Sequence, residues 1–104
     1  MISENKLESN IISVLQKVYD PEIPVSIYEL GLIYNIDIKQ NNNVDILMTL
    51  TTPHCPVAEI LPKQIEDAVK KIEEVGRVKV EITWEPTWTQ EMMSEAARLE
   101  LGLV

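Results

Sequence analysis

Apolar residues at Leu7, Ile11, Val14, Leu15 and Val18 recur at three- and four-residue steps, which makes one stripe along a helix. The spacing predicts a first helix from about Ser3 or Glu4 to Tyr19. Ser3 serves as its cap and Glu4 complements the positive end of the peptide dipoles. Asp20 precedes Pro21 and is biased out of the helical region, so the helix stops there. From Leu32 the period changes to two. Leu32, Tyr34, Ile36 and Ile38 alternate with Ile33, Asn35, Asp37 and Lys39, and Val44, Ile46, Met48 and Leu50 alternate with Asp45, Leu47, Thr49 and Thr51. Gln40-Asn41-Asn42-Asn43 between them is a turn, because Asn tolerates positive φ, and so short a connection makes the pair an antiparallel hairpin.

After Cys55 the period returns to about 3.6, with Val57, Leu61, Ile65, Ala68, Val69 and Ile72 toward the sheet and Gly76 as the end of the helix. Pro62 lies within this stretch and lacks the N–H that would bond Ala58, so the regular helix either starts shortly before Pro62 or has an irregular first turn. Arg77 to Trp84 reads as a third strand, with Val78, Val80, Ile82 and Trp84 on one face. Thr87 or Thr89 is expected to cap a last helix carrying Met92, Ala96 and Leu99. Leu101, Leu103 and Val104 form an apolar tail expected to pack on the core or at a dimer contact.

Between the first helix and the first strand lies a compact signature. Ser26 and Glu29 stand at capping-box spacing, Val25 and Leu30 at the two staple positions, and Gly31 where a left-handed residue ends a turn. Asp20, Glu22 and Glu29 either point at a shared site or, as such side chains commonly do, bond nearby backbone N–H groups. The order α-β-β-α-β-α predicts an α+β fold, a two-layer α/β sandwich with a small three-stranded sheet and helices on one face, in one domain over residues 1–104. With the second helix crossing back along the sheet, the second and third strands run parallel. Cys55 and the Trp84–Trp88 loop are then expected at one end of the sheet, where Trp84 and Trp88 either wall the cysteine turn or belong to the core.

Charge narrows the partners. Nine Lys and Arg stand against 17 Asp and Glu, a formal net charge of −8, and this argues against nucleic acid or an anionic membrane, both of which need a basic face. A single cysteine forms no internal disulfide, no apolar run approaches the ~20 residues needed to span a bilayer, and the start of the chain lacks a signal-peptide pattern. A soluble, cytoplasmic protein is expected.

The candidate chemistry lies in Thr51-Thr52-Pro53-His54-Cys55-Pro56, which holds the sole cysteine and the sole histidine where strand gives way to helix. A thiol there faces unpaired N–H groups and the positive end of the helix dipole, which favour the thiolate and predict a pKa below the ~8.5 of a free cysteine. Thiolate is the form that ligates metal or attacks electrophiles; His54 is a weaker second ligand. The competing reading is a small buried hydrophobe, the commoner fate of a lone cysteine. A thiol enzyme is the least favoured use, since a nucleophile wants a separately positioned base and His54 adjoins Cys55 in the chain.

Four segments together carry a resemblance that covers nearly the whole chain. Asp20-Pro21-Glu22, Glu29-Leu30-Gly31-Leu32, Thr51-Thr52-Pro53-His54-Cys55-Pro56 and Trp84-Glu85-Pro86-Thr87-Trp88 stand in the order and rough spacing of the SufT-like family. The ending Met93-Ser94-Glu95-Ala96-Ala97-Arg98-Leu99-Glu100-Leu101-Gly102 resembles the SufT branch. The resemblance implies a non-enzymatic role in iron–sulfur cluster assembly or maturation of iron–sulfur proteins, on the small fold shared with the C-terminal domain of NifU-type scaffolds. It places the functional cysteine on Cys55 and family motif residues on Asp20, Glu29, Thr51 and Thr52, with Trp88 in the companion loop. The PaaD-like branch, which serves maturation of an oxygenase, carries a cysteine-rich C-terminal segment that this sequence does not show and stands second. Implied partners are assembly proteins and client apoproteins, with a homodimer as a further option. The implied cargo is a labile iron–sulfur cluster. Clusters ordinarily take four thiolates, so one held here would bridge two chains or be completed by external thiols. An adaptor that recruits assembly factors to clients without holding a cluster is the alternative.

Overall fold

A computed structural model of the chain describes residues 4–20, 23–51 and 55–102, and for Glu4 and residues 55–59 it describes the backbone alone. Strands β1 (Ile33–Ile38), β2 (Val44–Met48) and β3 (Val78–Ile82) form one mixed sheet in the order β1-β2-β3. β1 and β2 pair antiparallel from Ile38↔Val44 to Ile33↔Met48. Their connection is a 3-10 turn at Gln40–Asn42 that holds Asn41 at φ 61 and Asn42 at φ 58, a region Asn enters at little cost. β3 lies parallel to β2, with Val44↔Val78 at one end and Met48↔Ile82 at the other. That pairing needs a crossover, supplied by helix α2 (Cys55–Lys70).

Alternation sorts the two sheet faces. Val44, Ile46 and Met48 are buried beneath the helices, while Asp45 and Leu47 of the same strand are half-buried on the other face. Helix α1 (Glu4–Leu15) brings Leu7, Ile11 and Leu15 to the core, and α2 brings Leu61, Ile65 and Val69. Burying a side chain of this size stabilises by about 1.5–3 kcal/mol, so these two stripes hold the helix layer on the sheet. The result is the expected α+β arrangement, with α1 and α2 packed on a three-stranded sheet; α3 (Glu95–Glu100) lies beside the turn before β1, sharing a groove with Tyr19, Ser26 and Glu29.

Several expected boundaries move, each for a local reason. α1 ends at Leu15 instead of Tyr19, because Val18 to Asp20 pair in extended form with Val25 to Ile27. There Ile27 N–H donates to the Val18 carbonyl at 2.8 Å. α2 runs without a break from Cys55 through Pro62, where neither a late start nor an irregular first turn was needed. Proline removes one ladder bond, and buried Leu61 and Ile65 beside it pin the helix to the sheet. Gly76 does not end the helix, which stops at Lys70. It allows a close approach instead: a Cβ there would stand 2.5 Å from Asn43 Oδ1 and 2.7 Å from the Asn41 carbonyl oxygen.

β2 stops at Met48 and β3 spans only Val78–Ile82, since the chain beyond each turns into the loops described below. A register shift between Ile33 and Asn35 makes Tyr34 the extra residue of a β-bulge, which removes it from the Leu32-Ile36-Ile38 alternation. α3 is capped by Ser94, whose hydroxyl accepts from Ala97 N–H at 3.1 Å, and not by Thr87 or Thr89. Its buried residue is Ala97, with Met93 just before the helix and Leu101 just after it also in or against the core. The expected Met92-Ala96-Leu99 stripe is off by one position, and Leu99 is 65% exposed. Leu103 and Val104 of the apolar tail lie outside the described residues, as does the proposed Ser3 cap.

Candidate functional site

One end of the sheet collects most of the sequence motifs. Ile33 at the start of β1 pairs with Met48 at the end of β2, and Met48 pairs with Ile82 at the end of β3. The turn before β1, the loop leading to α2 and the loop after β3 therefore leave the sheet together. Backbone bonds extend the alignment: Thr49 N–H donates to the Leu32 carbonyl and Thr83 N–H to the Met48 carbonyl, both at 2.8 Å.

In the turn before β1 the Ser26 half of the capping box forms, while among the described bonds the Glu29 carboxylate does not reach back to Ser26 N–H. Ser26 Oγ accepts the N–H of Glu29 at 3.3 Å, and Leu30 N–H donates to the Ser26 carbonyl at 3.0 Å. Gly31 follows at φ +79, the left-handed region that glycine enters freely. A second constraint acts there, since a Cβ on Gly31 would collide with the Met92 carbonyl. The turn is held from outside as well. Ser94 N–H donates to the Glu29 carbonyl at 2.8 Å, and Trp88 Nε1–H donates to the Leu30 carbonyl at 2.7 Å. Trp88 thus belongs to the packed margin of the core, whereas Trp84 stays 45% exposed.

Thr51, three residues past β2, is half-buried, and Cys55 is the first residue of α2. As the crossover from the end of β2 to the start of β3, the 16-residue α2 has its N-terminus toward this sheet end. Thr52 and His54 lie outside the described residues, as do the side chains of Cys55 and Val57. Among the described residues, no three His, Cys, Asp or Glu side chains gather as they would to hold a metal ion.

The two described acidic residues of the signature, Asp20 and Glu29, have different local surroundings. Asp20 is 6% exposed, and its Oδ1 accepts the N–H of Ile23 at 3.1 Å, the local backbone bond that competed with a shared site. Glu29 is half-buried and lines a separate groove with Tyr19, Ser26 and Ala96. Glu22 lies outside the described residues. Two further residues at this sheet end were not singled out from the pattern. Thr49 is wholly buried, and among the described residues its hydroxyl has no hydrogen-bond partner. Tyr34 turns its hydroxyl to the Pro86 carbonyl at 2.8 Å, bridging β1 to the loop after β3. The apolar pair Leu32-Ile33 beside Tyr34 is the one trace of the bulge in the alternation.

With this geometry in view, comparison with known proteins becomes specific. Residues 8–82 match the family model described as iron–sulfur cluster assembly protein. An Fe-S protein maturation auxiliary factor of Porphyromonas gingivalis is 46% identical over 97 residues, covering 93% of this chain and 92% of that protein. The Fe-S protein maturation auxiliary factor SufT of Staphylococcus aureus is 35% identical over 83% of this chain and 98% of its own length. An iron-sulfur cluster carrier protein of Synechocystis is 35% identical over 90% of this chain, which spans only 26% of that longer protein. A crystal structure of a domain of unknown function from Bacillus anthracis superposes with a TM-score of 0.88 at 34% identity, covering 96% of this chain and 95% of that one. The chain belongs to the iron–sulfur cluster assembly protein family and is SufT-like within it.

Proposed function

We propose that this protein is a cytoplasmic maturation factor that carries or targets an iron–sulfur cluster to client apoproteins through the thiolate of Cys55. The observation that carries the reading is the position of Cys55 as the first residue of α2, at the sheet end where three loops emerge. Unpaired N–H groups of the first helical turn favour the anionic sulfur. The reading is supported further by relatives that are maturation factors and carriers. The protein acts by holding and handing on its cargo and not by catalysing a covalent transformation.

One thiolate per chain sets the manner of binding. A cluster that ordinarily takes four thiolates is held here by an incomplete set, completed by a second chain's Cys55, by small thiols or by the client's own cysteines. Such a complex is labile, which suits transfer over storage. Thr51, Thr52 and the loop carrying Trp88 shape access to the sulfur, and His54 is the nearest additional ligand in the chain. An adaptor that brings assembly factors to clients without holding a cluster, including one for an oxygenase, is the second reading; the exposed Trp84 and Ile60 favour it as contact residues.

Anaerobic reconstitution with iron and sulfide tests the first reading. Charge-transfer absorption in the visible, with iron and sulfide bound at a fixed ratio per chain and lost in Cys55→Ser, is the expected result. A chain that stays colourless with or without added thiol, yet still supports client maturation, would favour the adaptor.

A further inference from the structure

The same sheet end carries an open groove of about 620 Å³ on the face away from α1 and α2, lined mostly by the apolar parts of Ile33, Tyr34, Leu47, Pro86 and Met92, with Glu85 among its walls. Nothing in the cluster reading uses it. Its shape is set in advance. The Tyr34 hydroxyl bonds the Pro86 carbonyl at 2.8 Å and stands 3.5 Å from Met92 Sδ, so strand β1 and the loop after β3 are tied together across the groove.

The charge around it is one-sided. Glu85 and Glu91 are exposed and have no lysine or arginine paired with them among the described residues. On the sheet face that continues from the groove, Lys39 pairs with Asp45 at 2.9 Å and also faces the exposed Asp37, and Lys79 pairs with Glu81 at 3.1 Å, so three carboxylates there outnumber two lysines. An apolar slot with an acidic surround selects an apolar side chain flanked by cations. A second copy of this chain is a poor occupant, because it would bring a net charge of −8 against another −8.

We propose that this groove docks a peptide segment of a partner protein in which a leucine or phenylalanine is flanked by lysine or arginine. The partner, on the maturation reading, is a client or assembly protein, and docking there would bring its cysteines to the sheet end that carries Cys55. The groove and the sulfur are separate devices on one surface, so each can be lost without the other.

The test uses the full chain and fluorescein-labelled dodecapeptides, with a central Leu or Phe flanked by Lys and Arg in one set and by Glu in the other. Anisotropy titrations are expected to show saturable binding of the basic set alone, weakening as salt rises. Leu47→Asp should abolish it. Glu85→Lys should weaken it roughly fivefold, the scale of a surface charge pair. Glu85 is exposed, so that variant keeps the test valid if Leu47→Asp fails to fold. Cys55→Ser should bind the peptide as the parent does, and a failure of cluster loading in that variant speaks to the sulfur alone. Equal binding of both peptide sets, binding of neither, or basic-peptide binding unchanged in the folded variants would overturn the proposal. So would a concentration-dependent dimer in sedimentation that disappears in Leu47→Asp, since the groove would then be a self-interface.

Discussion

Trp88 donates its indole N–H to the Leu30 carbonyl at 2.7 Å and so fastens the loop after β3 to the turn before β1. Two motifs 58 residues apart in the chain become one wall at the sheet end. Trp88→Phe keeps an aromatic ring against the core and removes the donor. The expected loss is about 1 kcal/mol, the usual net value of one hydrogen bond, read as a lower urea midpoint with unchanged slope. An unaltered midpoint would mean that water replaces the indole at no cost.

Ser26 holds the same turn from within. Its hydroxyl accepts Glu29 N–H at 3.3 Å while the residue itself is 4% exposed. Ser26→Ala should destabilise by about 1 kcal/mol, as loss of a cap does. Ser26→Thr, which keeps the acceptor, should recover part of it in the same thermal melt.

Two glycines with left-handed backbones separate conformational strain from collision. Gly102 stands at φ +74 with open space around its Cβ position, and Gly31 stands at φ +79 against the Met92 carbonyl. Gly102→Ala should cost about 1 kcal/mol for the backbone alone. Gly31→Ala should cost more than twice that, with a lower melting temperature and a displaced loop around Met92. Equal losses would show that the loop yields freely.

The surface pair on the open sheet face gives a pH signature. A hydrogen bond from the Lys39 ammonium holds the Asp45 carboxyl below its ordinary value, and the same bond raises Lys39. A carboxyl depressed in the folded state stabilises at pH above its unfolded pKa, and that contribution is lost as pH falls through the folded value. The raised lysine stabilises below its unfolded pKa and loses this as pH rises through the folded value. Asp45→Asn should therefore reduce the drop in melting temperature between neutral pH and about pH 2. The change is small, as both groups are exposed and screened by solvent; an identical drop in parent and variant would show the pair to be energetically silent.

How much was legible in the chain follows from where local pattern decides the outcome. The Leu7-Ile11-Leu15 stripe, the hairpin around Asn41 and Asn42, the Ser26 cap and the parallel placement of β3 all rest on short-range spacing or on one chirality rule, and all four stand in the structure. The errors arise where a distant partner decides. Val18 leaves the helix because Ile27 claims its carbonyl, Gly76 is small because Asn43 packs on it, and Tyr34 bulges toward Pro86. The start of α3 moved from Thr87 or Thr89 to Ser94 because all three are competent caps, and contacts elsewhere chose Ser94, whose N–H also donates to the Glu29 carbonyl. In the site, the exit of the loop to α2 and of the Trp84–Trp88 loop at one sheet end was readable from topology alone. The local use of Asp20 was one of the two readings its residue type allows, and its bond from Ile23 N–H bears that one out. The buried hydroxyl of Thr49 was not readable, since it depends on packing that no spacing records.

The central claim is that Cys55 acts chemically and is not merely packed. Client-enzyme activity and melting temperature measured together on Cys55→Ala test it most directly. The account predicts that maturation of iron–sulfur clients is abolished while the melting temperature stays within about 2 °C of the parent, as for a side chain that contributes little to packing. A stability loss of more than about 1 kcal/mol, the mark of a cavity in a core, with activity retained in the folded fraction, would contradict it.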